Sequence, residues 1–258
     1  MMRLWDLRVV QVKGVQHLTP RMRRITLHGP ELENFHSGTH LKLLIPPCGV
    51  TPEWPTQDET GKPLWPKEGV RPTMRTYTLR HYRPEQQEID IDMVLHGKGI
   101  ASQWAEGAKV GETVGIIPPG KGSTYVQLAP HYLLAGDHCT LPALMVTLES
   151  LPEGSSAEVF MLVPDAQEIQ PVQTRADVQI HWFLQNKGQT QQDVIEQVKR
   201  ASFPEGTFFW VAGESTLVKA LREHGLQKGL TPERAYVLGY WKQDMNETRY
   251  STELRYDL

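Results

Sequence analysis

The chain has 258 residues, 39% hydrophobic and 22% charged, which fits one large or two ordinary globular domains and excludes a disordered chain. Its formal charge of −3 supplies no global field to draw in nucleic acid or an anionic membrane, although a local basic patch is compatible with it. Two cysteines, Cys48 and Cys139, are too few for a disulfide framework or an all-cysteine metal site, and two reduced thiols are expected. The histidines are scattered without metal-ligand spacing, so no protein-held metal is expected. Residues 1–12 alternate charged and apolar side chains without a signal-peptide core. No apolar run approaches the ~20 residues that span a bilayer. The expected protein is a cytoplasmic monomer with no nucleic-acid or membrane partner.

Residues 7–12 and 23–27 nearly alternate apolar with polar side chains, the period of half-buried strands. His40-Leu41-Lys42-Leu43-Leu44-Ile45 is a third run, stopped by Pro46-Pro47. Residues 46–74 are rich in proline, glycine and charge and read as a long loop, a class of segment that is often functional. Trp54 and Trp65 are expected to pin it to the surface. Strands resume at residues 76–80 and 88–95, a short helix is expected over 101–108 with Ser102 near its start, and residues 113–117 form another strand. Short strands separated by turns predict a small barrel or sandwich.

The pattern then changes. Buried strands are expected at 132–136, 157–163, 178–183, 207–212 and 234–239, with helices at 141–151, 191–201 and 214–224. Strands alternating with helices predict a parallel sheet covered on both faces. The domain boundary is placed near Gln127, giving domains 1–126 and 127–258, the second with a C-terminal extension.

Two stretches carry chemistry. In Arg75-Thr76-Tyr77-Thr78-Leu79-Arg80, alternation sets Arg75, Tyr77 and Leu79 on one strand face and Thr76, Thr78 and Arg80 on the other. An arginine pairs with diphosphate oxygens in bidentate fashion, a tyrosine offers a flat face to a ring system, and a threonine hydroxyl bonds a ring nitrogen. Together they suit a flavin nucleotide; the hexapeptide alone reads equally well as a strand with a charged solvent face. The second stretch is Leu95-His96-Gly97-Lys98-Gly99-Ile100-Ala101-Ser102-Gln103-Trp104-Ala105, a strand entering a glycine turn and a helix start. Free backbone N–H groups and the helix dipole make such a junction an anion site. Gly97 and Gly99 let the backbone approach a phosphate, and Ser102 is either a further donor or a plain helix cap. Both stretches ask for a dinucleotide.

These stretches resemble the siderophore-interacting proteins, flavin-dependent ferric-siderophore reductases within the ferredoxin-reductase-like superfamily. The likeness runs in family order from His40-Leu41-Lys42-Leu43-Leu44-Ile45-Pro46 through Arg75-Thr76-Tyr77-Thr78-Leu79-Arg80 to Asp90-Ile91-Asp92-Met93-Val94-Leu95-His96-Gly97 and Ala101-Ser102-Gln103-Trp104-Ala105. It continues at Leu134-Ala135-Gly136-Asp137, Leu141-Pro142-Ala143, Trp210-Val211-Ala212-Gly213-Glu214 and Gly239-Tyr240-Trp241-Lys242. The resemblance implies an N-terminal antiparallel β-barrel that binds FAD and a C-terminal α/β domain that binds NADPH or NADH, with reduced ferredoxin as another donor. It implies that Arg75 holds flavin phosphate, Tyr77 packs on the isoalloxazine and Thr78 addresses its reactive edge, Tyr77 and Thr78 being the catalytic pair. Arg80, His96, Gly97, Gly99, Ala101, Ser102 and Trp104 would complete the FAD site. Ferric siderophores are commonly anionic, so Lys42 is read as a substrate contact in preference to a solvent-face lysine, with Lys242 and Arg249 as further candidates.

The chain departs from the family in four places. Ile100 replaces a proline. Asp137-His138-Cys139-Thr140 replaces an acidic-Thr-Ala run. No G-x-G-x-x-G fingerprint opens the second domain, which leaves the choice of nicotinamide open. The glycine after the Gly-Tyr-Trp-basic motif is missing. A flavin reductase with another acceptor and a non-catalytic siderophore-binding protein are the competing functions.

Overall fold

The structure, a computed structural model, describes residues 7–30, 32, 35, 40–47, 49–59, 63–65, 70–118 and 125–245. The chain divides into two compact units, Met1–Thr124 and Tyr125–Leu258. The first contains strands β1 (Arg8–Thr19), β2 (Met22–His28), β3 (His40–Ile45), β4 (Thr56–Gln57), β5 (Pro63–Leu64), β6 (Thr73–Thr78), β7 (His81–Arg83), β8 (Glu88–Val94) and β9 (Thr113–Ile117), with helix α1 (Ile100–Gly107). The second contains β10 (His131–Asp137), α2 (Leu141–Ser150), β11 (Ser156–Val163), β12 (Asp177–Leu184), α3 (Gln191–Arg200), β13 (Phe208–Glu214), α4 (Ser215–Gln227) and β14 (Ala235–Trp241). Among the described residues no helix is long and apolar enough to cross a membrane.

Seven strands of the first unit pair in the order β6-β3-β9-β1-β2-β8-β7, every pair antiparallel. The two end strands of that order, β6 and β7, are consecutive in the chain and joined only by Leu79 and Arg80. This tie brings the edges of the sheet together and makes it the expected barrel, and the Arg80 N–H donates across it to the Asp90 carbonyl at 2.8 Å. Ile25, Leu27, Leu41, Leu43, Ile89, Ile91, Met93, Val114 and Ile116 fill the interior, at alternate positions of their strands as period-2 patterning requires. The first strand is longer than its sequence pattern because the register shifts between Val12 and Gly14 and again between His17 and Thr19. A bulge breaks strict alternation without ending the pairing. Within the long loop, Trp54 lies over bare backbone of β9: a Cβ at Gly115 would sit 2.7 Å from its ring.

The outer face of β2, β8 and β7 carries a charged ladder. Register sets Arg24 opposite Asp92, Thr26 opposite Asp90, and His81 also opposite Asp90. Arg24 grips Asp92 with two bonds of 2.7 and 2.8 Å. Arg83 grips Asp90 likewise at 2.6 and 2.8 Å, while Thr26 Oγ1 donates to the same carboxylate at 2.8 Å. These cross-strand pairs help fix the register of this face, on which Met22 also stands opposite Val94.

The second unit is a parallel sheet in the order β12-β11-β10-β13-β14. Leu133, Ala135, Phe160, Leu162 and Val211 pack against Val194 and Val198 of α3 and Leu217 and Leu221 of α4. Every residue of α2 from Leu141 to Leu148 is buried, which explains its nearly unbroken apolar run. Strands β11 and β12 are joined without an α-helix, through a single 3-10 turn at Ala166–Glu168.

Burial alone would raise the Asp90 carboxyl, but hydrogen bonds from Arg83, His81 and Thr26 overcome that and hold it well below the usual carboxylate range. A depressed folded-state pKa gives stability that is full above about pH 4, where an unfolded Asp is ionised, and is lost as pH falls below it. Asp90→Asn should therefore cost roughly 3 kcal/mol at pH 7, the low end for breaking a buried pair because Arg83 is partly solvent-screened. Urea melts from pH 7 to pH 2 check this, and the difference from wild type should shrink as the acid limb is descended.

Candidate functional site

Lys42 pairs in register with Thr76, and His40 with Thr78, while Leu41 faces Tyr77 and Leu43 faces Arg75. Cross-strand partners share a sheet face. Lys42, Thr76 and Thr78 therefore stand on one face, and Arg75 and Tyr77 on the other with the buried Leu41 and Leu43. Lys42 Nζ donates to Thr76 Oγ1, which holds the lysine on the face that carries the buried Thr78. Tyr77 packs against the barrel core, as does Trp104 of α1. Arg75 donates from Nη1 to the Met74 carbonyl at 2.8 Å. Arg80 is drawn toward the outer ladder, its Nη1 2.9 Å from His81 Nε2 and its Nε 3.6 Å from Asp92.

The turn between β8 and α1 places Gly97 at φ 70 and Gly99 at φ 78, conformations that favour glycine. A Cβ at Gly97 would meet nothing within 4 Å, so backbone conformation and not crowding calls for glycine there. Helix α1 begins at Ile100 with Gly99 as its N-cap, one residue ahead of the expected start at Ala101, so Ser102 lies within its first turn. Ser102 is buried, and its Oγ accepts from the His96 N–H at 2.9 Å, bracing the turn from inside the helix. It thereby keeps its own proton to donate. The first α1 hydrogen bond runs from the Gln103 N–H to the Gly99 carbonyl at 3.1 Å, so the Ile100, Ala101 and Ser102 amides precede the helical ladder. An open glycine turn, amides at a helix start and, in the same unit, a strand bearing an arginine and an aromatic ring are of the chemical type that a diphosphate and a flat ring system such as those of FAD require. Among the described residues no group of three or more metal-ligating side chains is present.

In the parallel unit the strand order reverses between β10 and β13, the crevice where open α/β sheets bind ligands. Both strands end in a buried carboxylate, Asp137 at 5% and Glu214 at 4% exposure. Asp137 Oδ2 accepts the Glu214 N–H at 2.7 Å and the Trp241 indole N–H at 2.9 Å, and Oδ1 accepts the Cys139 N–H at 2.9 Å. One side chain thus joins the ends of β10, β13 and β14. Burial pushes its carboxyl up to about 6, against the pull of these hydrogen bonds and with help from the Glu214 charge. The backbone makes room for it: a Cβ at Gly213, at φ +141, would lie 2.6 Å from Asp137 Oδ2, and one at Gly136 would lie 2.4 Å from Thr140 Oγ1. Beside it His138 Nε2 lies 2.9 Å from Glu168 Oε2, and Cys139 is an exposed free thiol. Cys48 and Arg249 lie outside the described residues.

Sequence reasoning named neither Asp137, Glu214 nor Trp241 as site residues. The signal was present: two strands each end in Gly-acid, and both belong to motifs that end at the same edge of a parallel sheet.

A family model for the siderophore-interacting FAD-binding domain matches residues 11–123, and one for the siderophore-interacting protein matches residues 129–244. The ferric vibriobactin reductase ViuB of Vibrio cholerae is 29% identical over 248 residues, covering 92% of this chain and 90% of that protein. The NADPH-dependent ferric-chelate reductase of Escherichia coli is 27% identical over 247 residues, covering 91% and 92%. The crystal structure of the siderophore-interacting protein SipS from Aeromonas hydrophila superposes with a TM-score of 0.83 at 30% identity, over 98% of each chain. Barrel, parallel sheet and the matched motifs agree with these likenesses, and the chain belongs to the siderophore-interacting protein family, with an FAD-binding domain at its N-terminal end.

Proposed function

We propose that this protein is an FAD-dependent reductase that moves electrons from NADPH or NADH to ferric iron held in a siderophore, with reduced ferredoxin as an alternative donor. The reading is carried by the presence, in one unit, of the Arg75–Tyr77–Thr78 strand and of the open Gly97–Gly99 turn that leads into α1. FAD, when bound, supplies the exchange between a two-electron hydride donor and a one-electron iron acceptor. Arg75 and the amides after Gly99 would hold its diphosphate. Tyr77 would support its ring system and Thr78 its reactive edge, with Arg80, His96, Ala101, Ser102 and Trp104 around them. Lys42 and Lys242, and Arg249 beyond the described residues, would attract an anionic ferric chelate. Hard oxygen ligands hold Fe(II) more weakly than Fe(III) because its charge is lower, so reduction would loosen the iron and spare the chelator. The name of the Escherichia coli relative favours NADPH.

Purified protein should release FAD on heating, and FMN alone would refute the diphosphate assignment. Arg75→Ala removes a charge-assisted contact worth roughly 1.5–3 kcal/mol, so FAD affinity in a fluorescence titration should fall about 10- to 150-fold. Wild-type affinity would return Arg75 to an ordinary surface role.

Lys42→Met keeps the stem and removes the charge. It should lower kcat/KM for an anionic ferric catecholate about two- to fivefold at low salt, the range of one exposed ion pair. The loss should fade as salt rises toward a Debye length of ~10 Å at 0.1 M, and should be smaller for a neutral ferric hydroxamate. An equal loss on both substrates would point instead to the Lys42–Thr76 bond.

A further inference from the structure

Lys242 is flanked on both sides by residues tied to the carboxylate pair that ends the central strands of the parallel sheet. Before it, Trp241 donates its indole N–H to Asp137 at 2.9 Å. After it, the Gln243 N–H points to Glu214 Oε1 at 3.4 Å, and the Met245 N–H closes a turn on the Lys242 carbonyl at 3.1 Å. Asp137 and Glu214 are themselves linked by the 2.7 Å bond from the Glu214 amide. A lysine stem is long and flexible, so the reach of its ammonium is decided by where its backbone is held.

Asp137 suits this task and is otherwise an expensive residue. Its hydrogen-bond donors among the described residues are the Cys139, Thr140 and Glu214 amides and the Trp241 indole, with the Glu214 carboxylate nearby and no cation among them. A buried charge without a counter-charge opposes folding. An ionised carboxylate accepts from all of these donors and carries no donor of its own, whereas an asparagine in the same place must turn an NH2 group toward at least one of them. We propose that Asp137 is a positioning residue: through Trp241 it fixes the strand end that bears Lys242, and so sets the affinity for an anionic ferric chelate. The proposal rests on the reading of Lys242 as a substrate contact.

Asp137→Asn, Trp241→Phe and the double variant, each as FAD holoenzyme, test it. The flavin is photoreduced without air and its reoxidation followed against the concentration of ferric tris(2,3-dihydroxybenzoate), which gives a half-saturation and a limiting rate. Each single variant should raise the half-saturation about five- to tenfold, the net worth of one hydrogen bond, with the limiting rate little changed. The double variant should be no worse than the more damaging single, and Asp137→Asn should add nothing in a Lys242→Ala background. Additive losses, or a wild-type half-saturation in Trp241→Phe, overturn the proposal. If Asp137→Asn fails to fold, Trp241→Phe decides alone, since it keeps the carboxylate and removes only the indole donor. A wild-type flavin that no ferric chelate reoxidises sinks the functional reading and the substrate role with it. In that case the indole N–H resonance missing from Trp241→Phe still reports, by its shift in Asp137→Asn, whether the Asp137–Trp241 bond exists.

Discussion

A buried carboxylate must find hydrogen bonds or opposite charge, and both units of this chain are organised by how they meet that requirement. In the barrel Asp90 and Asp92 are answered by arginines and sit on the outer sheet face, where they fix strand register. In the parallel unit Asp137 is answered by backbone amides and an indole, and it ties the ends of three strands. The first solution is rigid and electrostatically closed. The second leaves a buried carboxyl without a cation among its hydrogen-bond partners at the crevice where the strand order reverses, the place where such sheets bind ligands.

The two solutions have different consequences for the residues assigned to chemistry. Arg80 leans into the charged ladder through Asp92 and His81, which braces the strand junction next to Thr78. Lys42 and Thr76 bond to each other on the face that Thr78 shares. The barrel thus separates a cation-and-hydroxyl face from the face that bears Arg75 and Tyr77, and a single strand serves both. That division follows from period-2 alternation alone.

Much of this was legible in the sequence. Strand alternation and the later switch to a βα pattern announced an antiparallel unit followed by a parallel one, because burial on one face and burial on two leave different apolar periods. The glycines at 97 and 99 announced a turn, and both adopt positive φ. What could not be read was long-range. The extension of β1 past Val12 was hidden by the Gly14 register shift. Ser102 read as either an anion donor or a helix cap, both local patterns, whereas its partner in the structure, the His96 amide, lies back across the turn. The convergence on Asp137 joins residues 77 and 104 positions apart in the chain, and no local propensity encodes such a contact.

The departures from the family pattern show which constraints are chemical and which are geometric. Proline suits the first position of a helix because its missing N–H is an orphan there. Ile100 occupies that position in α1, follows the Gly99 cap and keeps its amide, so the turn offers one more donor where an anion would dock. The missing glycine after Lys242 is a different case. The turn that follows still contains a left-handed residue, Asp244 at φ 63, a conformation Asp tolerates better than most side chains but at some cost relative to glycine. The turn is nevertheless closed by the Met245 amide and held by Glu214. The local turn and the distant carboxylates thus act together: Met245 closes the turn on Lys242, while Asp137 and Glu214 hold the residues on either side of it.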